Sequence, residues 1–206
     1  MNRELLKVVG ILLTIHYVPL TLKEIFMEHE FIITGLGGQG VLFLTKVLAM
    51  IARENNLPFI GSEVHGMSQR GGSVSSHLRI GDFSGPLVRQ GRASVIFALE
   101  ESEAWRNLYF IRHGGHIYID TADEKFPPEP FKEILEKRNV VSVIIDATSI
   151  AAELQSLPSA NLVLLGRFIA TEESFSADSV ERAISKTGNP RVIEKNLQAF
   201  RRGLGQ

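Results

Sequence analysis

Phe31-Ile32-Ile33-Thr34-Gly35-Leu36-Gly37-Gly38-Gln39-Gly40, continuing as Val41-Leu42-Phe43-Leu44, is the stretch on which the fold turns. It reads as a short apolar strand, a tight glycine turn, and a helix that begins with almost no side chains in the way. Gly35, Gly37 and Gly40 complete a G-x-G-x-x-G pattern in the setting that gives it meaning, after a strand and before a helix. Glycine takes positive φ in such a turn and lets a ligand approach the backbone closely. The unpaired N–H groups and the dipole at the helix start, about half a positive charge, favour an anion there. In a Rossmann-like fold that anion is usually a phosphate. The same glycines equally serve close packing of strand on helix, and this segment alone supports both readings.

Outward from this stretch the chain alternates. The helix expected over about Gly38 to Asn55 sets Val41, Leu44, Leu48 and Ile51 on one face, widened by Phe43, Val47 and Met50, so it is largely buried. Leu57 to Gly61 suggests a short strand. Ser62 to Gly72 lacks helical or strand periodicity and reads as a loop. Ser73 to Ile80 alternates, with Val74, Leu78 and Ile80 on one face and Ser75, His77 and Arg79 on the other, as a half-buried strand does. The turn at Gly81 to Pro86 makes an antiparallel excursion here the expectation. Further strands are expected at Ala93 to Leu99, His116 to Asp120 and Val140 to Ala147, and helices at Glu100 to Ile111, Phe131 to Lys137 and Thr148 to Ser156. From Asn161 onward only helices are expected: Asn161 to Ala170, Ser179 to Thr187 and Pro190 to Arg202. Asp178 with Glu181 has capping-box spacing, and Pro190 suits a helix start. The pattern predicts an α/β fold, a Rossmann-like, mostly parallel sheet with an antiparallel excursion and C-terminal helices.

Length and composition narrow the function. The 206 residues suit one α/β domain, and 44% hydrophobic with 22% charged residues is ordinary for a globular protein. A formal net charge of −1 gives no electrostatic case for nucleic acid or an anionic membrane surface. The chain has no cysteine, so it holds no disulfide, no thiolate-ligated iron–sulfur cluster and no cysteine nucleophile. Residues 1–26 differ from the rest. Their apolar run from Val8 to Leu20 is shorter than the roughly 20 residues a membrane span needs, and it carries His16 and Pro19. No small-x-small cleavage site follows it. The expected organisation is a dispensable extension over 1–26, with Met27 a candidate true start, and a single domain over 27–206 in a cytoplasmic protein.

Candidate site residues cluster in two places. The glycine turn (Gly35, Gly37, Gly38, Gln39, Gly40) is one. The other is Glu63-Val64-His65-Gly66-Met67-Ser68-Gln69-Arg70-Gly71-Gly72. Glu63 falls near the distance at which a dinucleotide fold places its ribose carboxylate, which keeps a stand-alone NAD-dependent dehydrogenase, or a nucleotide-sensing module, among the alternatives. Two glycines after Arg70 suggest backbone crowded against a ligand or neighbour. The planar fork of an arginine in that setting suits a phosphate or carboxylate, and a structural pair with Glu63 is the plainer alternative. His65 and His77 lack a third ligand at convincing spacing, so neither is read as a metal site. No serine sits in a nucleophile elbow.

Gly-Leu-Gly-Gly-Gln-Gly at 35–40 together with Glu-Val-His-Gly-Met-Ser-Gln-Arg-Gly-Gly at 63–72 resembles the gamma-type subunit of the 2-oxoacid:ferredoxin oxidoreductases. Within that family the form carrying His65 to Gly72 is similar to the beta subunit of the indolepyruvate enzymes. Asn161 to Gly166, Glu194 to Phe200 and Gly203 are similar to the family's closing helices, so the likeness covers Met27 to Gly203. The resemblance implies a supporting subunit with no catalytic residue of its own. Thiamine diphosphate and iron–sulfur clusters would belong to a large alpha subunit, and ferredoxin would be reached through the complex. The reaction implied is oxidative decarboxylation of an aryl 2-oxoacid with transfer of the acyl group to coenzyme A. Gly35, Gly37, Gly38, Gln39, Gly40 and Arg70 would contact coenzyme A, while Glu63, His65, Met67, Gln69, Gly71 and Gly72 would face the partner or its active site.

Overall fold

The computed structural model describes residues 28–65, 72–172 and 174–205, without the His65 side chain. The extension expected over 1–26, the candidate start at Met27, and Met67, Gln69, Arg70 and Gly71 lie outside the described residues. Among the described residues, six strands form one sheet: β1 (His29–Leu36), β2 (Phe59–His65), β3 (Ser73–Ile80), β4 (Ala93–Ala98), β5 (Ile111–Asp120) and β6 (Val141–Ile145). Their order is β2-β3-β1-β4-β5-β6. β1 is central, and its continuous apolar run is buried on both faces, as a parallel strand between helical layers must be. It pairs in parallel with β4 from Phe31 opposite Val95 to Thr34 opposite Ala98. β4 with β5 and β5 with β6 are also parallel. β3 alone is reversed, antiparallel to both β1 and β2. The expected mostly parallel sheet with an antiparallel excursion is what the chain forms.

Helices cover both faces. They are α1 (Val41–Glu54), α2 (Glu101–Asn107), α3 (Glu129–Lys137), α4 (Ala147–Glu153), α5 (Ala160–Thr171), α6 (Ala177–Thr187) and α7 (Ile193–Leu204). α1 and α4 to α7 close one core, where Phe31, Phe97, Tyr118 and Phe168 stack across three strands and one helix. α2 and α3 close the other, around Ile32, Ile96, Ile117 and Phe131. α5 and α7 cross at Gly166 and Gly203, where a β-carbon on either would collide with a backbone carbonyl, that of Phe200 or Val163.

Several boundaries move for identifiable reasons. Ser62 to His65, expected as loop, are strand, because each pairs with β3 from Ser62 opposite His77 to His65 opposite Val74. The helix expected to reach Ile111 stops at Asn107, and a 3₁₀ turn over Leu108–Phe110 leads into β5, whose ladder begins with Ile111 opposite Ala93. The capping box from Asp178 to Glu181 does not form. Ser176 accepts the Ser179 N–H instead, and Glu181 takes both Arg201 donors at 2.8 and 2.9 Å. Pro190 precedes α7 rather than starting it: Asn189 accepts the Arg191 N–H in a turn, and the helix begins at Ile193.

Candidate functional site

The glycine turn is held by its own residues and one distant helix. Gln39 folds back so that its Oε1 accepts the Leu36 N–H at 2.6 Å, while the Gln39 N–H donates to the Leu36 carbonyl at 3.1 Å. Gly38 and Gly40 sit at φ +100° and +83°, the left-handed region that favours glycine. Asn161, fully buried at the start of α5, donates its amide to the carbonyls of Gly40 at 3.0 Å and Gln39 at 3.3 Å. A β-carbon on Gly40 would strike that amide. The Gly37 N–H donates to the Gly72 carbonyl at 3.0 Å, so the two sequence clusters meet here. The N–H groups of Gly38, Gly40, Val41, Leu42 and Phe43 find no acceptor among the described residues. They border a cleft of about 310 Å³ lined by Leu36, Gly37, Gly38, Gly40, Val41, Leu42 and Val74, none of them charged.

The sheet's switch point lies between β1 and β4, and the crevice beyond the carboxyl ends of such strands is where open α/β sheets take ligands. Here that crevice, about 380 Å³, is lined by Glu100, Glu101, Asp120, Asp123 and Asp146 together with Gln39, Thr121, Thr148 and Ser149. Burial pushes the Asp120 carboxyl up from its ordinary range, while the N–H and hydroxyl of Thr148, at 3.1 and 2.6 Å, hold it partly down. Asp146 caps α4 by accepting the Ser149 N–H at 2.9 Å. Glu101 accepts the Thr121 hydroxyl at 2.9 Å. The five carboxylates of this lining disfavour an anion in the crevice itself.

Beneath the turn lies a buried polar network that sequence reasoning missed. Glu103, fully buried on α2, accepts the hydroxyls of Thr34 at 2.9 Å and Ser73 at 2.7 Å on one carboxylate oxygen. The other oxygen takes Arg106 at 2.8 Å, and Asn107 donates to Thr34 at 3.0 Å. Glu103 thus ties the end of β1 to the start of β3, on either side of the Gly37–Gly72 bond. The only signal in the sequence was a carboxylate in the first turn of a helix, which is ordinarily a solvated feature.

Glu63 sits exposed on β2, and β3 intervenes between β2 and β1. A carboxylate two strand spacings from the turn, roughly 10 Å away, does not reach a ribose held at the glycine turn. The NAD reading therefore lacks its acid. His77 is structural: burial lowers its pKa, its Nδ1 accepts the Val88 N–H at 3.1 Å, and its ring meets Phe110 edge-on. No group of three or more histidine and acidic side chains suited to a metal occurs among the described residues. None of their helices is long and apolar enough to cross a membrane.

Residues 30–206 match the family model described as pyruvate ferredoxin/flavodoxin oxidoreductase. The chain belongs to this family, as a small subunit of the ferredoxin-dependent 2-oxoacid oxidoreductases. It is 33% identical over 192 residues to the indolepyruvate oxidoreductase subunit IorB of Archaeoglobus fulgidus, covering 87% of this chain and 96% of that one. In fold it is similar to the keto/oxoacid ferredoxin oxidoreductase gamma subunit of Geobacter sulfurreducens, with a TM-score of 0.70, 23% identity, and 86% and 96% of the two chains covered. The 2-oxoglutarate:ferredoxin oxidoreductase of Magnetococcus marinus, solved with 2-oxoglutarate, coenzyme A and succinyl-CoA bound, gives a TM-score of 0.69 at 24% identity over 86% of this chain and 30% of that one.

Proposed function

We propose that this chain is the beta subunit of a cytoplasmic indolepyruvate:ferredoxin oxidoreductase. The reaction takes indolepyruvate, coenzyme A and oxidised ferredoxin to indoleacetyl-CoA, CO2 and reduced ferredoxin. The carbon–carbon bond to the carboxylate breaks, the acyl carbon is oxidised, its electrons pass to ferredoxin, and the coenzyme A sulfur takes the acyl group. The observation that carries this reading is the 33% identity to an indolepyruvate oxidoreductase subunit along nearly its whole length. Thiamine diphosphate and the iron–sulfur clusters, which supply the carbanion and electron chemistry, belong in this reading to the large alpha subunit. The lack of cysteine here supports that division.

This chain's part is positioning. The N–H groups of Gly38, Gly40, Val41 and Leu42 at the start of α1, which find no acceptor among the described residues, receive a coenzyme A phosphate, with Arg70 as a second grip. Gly35, Gly37 and Gln39 shape the turn, and the carboxylates of the neighbouring crevice keep the phosphates on the uncharged side of it. Glu63, His65, Met67, Gln69, Gly71 and Gly72 form the partner-facing segment. The test is co-expression with the large subunit, followed by assays of indolepyruvate, phenylpyruvate and aliphatic 2-oxoacids with coenzyme A and an acceptor dye. Indolepyruvate is expected to give the highest kcat/KM and the isolated chain no turnover. Turnover by the chain alone, or preference for an aliphatic 2-oxoacid, overturns the reading. Arg70→Ala should raise the KM for coenzyme A about 10- to 150-fold, the loss of one charge-assisted bond, without loss of assembly by size exclusion.

A further inference from the structure

We propose that Glu103 is a positioning residue for the glycine turn: it clamps the last rungs of the β1–β3 ladder, keeps the Gly37–Gly72 bond closed, and so sets the direction in which the N–H groups of Gly38 to Leu42 meet coenzyme A. The proposal rests on coenzyme A binding at that turn. In the ladder Thr34 lies opposite Ser75, and Leu36 opposite Ser73 is the last pair. One bond follows, from the Gly37 N–H to the Gly72 carbonyl, and beyond it β1 runs into the turn. A single oxygen of Glu103, Oε2, takes the hydroxyls of Thr34 at 2.9 Å and Ser73 at 2.7 Å, so one atom joins the two strands just below that bond. Asn107 braces the joint by donating to the Thr34 hydroxyl and to the Glu103 carbonyl, both at 3.0 Å. The body that carries the clamp is α2, which packs on β1, β4 and β5.

Stability alone accounts poorly for this arrangement. Glu103 is fully buried, while the side chain of its cation, Arg106, is 64% exposed. An ion pair so open to water contributes little. Taking a carboxylate out of water is costly, and an apolar side chain of similar volume is often neutral or stabilising in its place. What an apolar side chain cannot do is hold hydroxyls of two strands at fixed distances. That ability is placed where direction matters most. Gly38 and Gly40, at φ +100° and +83°, follow directly, and glycine backbone imposes little direction of its own. Gln39 and Asn161 fix the turn from above, and Glu103 fixes its root. A binding group keeps its geometry through such supporting bonds.

Two measurements test the clamp. On the purified full-length chain, Ser73→Ala and Thr34→Val should each speed amide exchange at Gly37 about tenfold more than at Tyr118, deep in β5. On the complex with the large subunit, each should raise the Kd for desulfo-coenzyme A about fivefold, the effect of one weakened hydrogen bond. Ser73→Thr, which keeps the hydroxyl, should restore it. The KM for indolepyruvate should not move. Gly166→Ala, which strains the remote α5–α7 crossing, should leave the Kd unchanged although it lowers stability. Gly37 exchange that stays put, or that rises only in step with Tyr118, overturns the proposal. So does a Kd that Gly166→Ala raises as much as Ser73→Ala. Arg70→Ala without effect on the Kd is a failure of the coenzyme A reading. Arg70→Ala that weakens binding while Ser73→Ala and Thr34→Val do not is a failure of this proposal alone.

Discussion

At the scale of single residues, the glycine turn depends on a contact far away in sequence. Gly40 is required twice: for its φ of +83° and because Asn161 occupies the space of a β-carbon. Gly40→Ala should destabilise the chain in urea by more than the roughly 1–2 kcal/mol of left-handed strain alone. In an Asn161→Ala background the clash is gone, so the same substitution should cost only the strain, and a double-mutant cycle reads the difference. Glu103 makes a second residue-level prediction. Glu103→Gln keeps the shape but replaces an acceptor with a donor facing hydroxyls and a guanidinium, so it should cost about 1–3 kcal/mol in the same measurement. Thr34→Val and Ser73→Ala, which remove donors to that carboxylate, should be non-additive with it.

At the scale of elements, the closest crossing is α5 on α7. Gly166 and Gly203 let the two backbones touch, and either Gly→Ala change forces the helices apart. Overpacking of this kind costs about 1–3 kcal/mol, and thermal melting of Gly203→Ala and Gly166→Ala should show it without loss of helical signal. The C-terminal helices were foreseeable from their apolar periodicity. Their caps were not, because Ser176 and Asp178 both satisfy the same local rule, and only the pull of Arg201 on Glu181 decides between them.

For the whole molecule, acid is the informative stress. Burial, reinforced by the charge of Arg112, lowers the pKa of His29 from 6.5 to about 4. The folded state therefore favours neutral His29, and the unfolded state binds the extra proton. Its contribution is fully present above pH 6.5 and is lost as pH falls to about 4. The full loss is on the order of 3 kcal/mol. His77 shifts in the same direction. Asp120, raised by burial, acts oppositely, since its protonation on acidification favours the fold. Urea midpoints should fall between pH 7 and pH 4.5, and His29→Phe, which can stack on Phe31 and Phe175 as His29 does, should flatten that slope. A slope unchanged in His29→Phe would remove His29 as its source.

The sequence by itself determined the class of fold, because burial on both faces writes an unbroken apolar run into β1 and the glycine turn announces the helix after it. It also placed the two clusters that meet at Gly37 and Gly72, and the lack of cysteine sets any thiolate-held cluster on another chain. The tertiary structure decided what pairing and burial alone can decide. It made strand of the polar Ser62 to His65 through β3, and set β3 between Glu63 and the turn. It also buried Glu103 beneath the turn and brought five carboxylates from the carboxyl ends of three strands to one crevice. These are contacts between residues distant in the chain, and no local period records which strand will lie beside which.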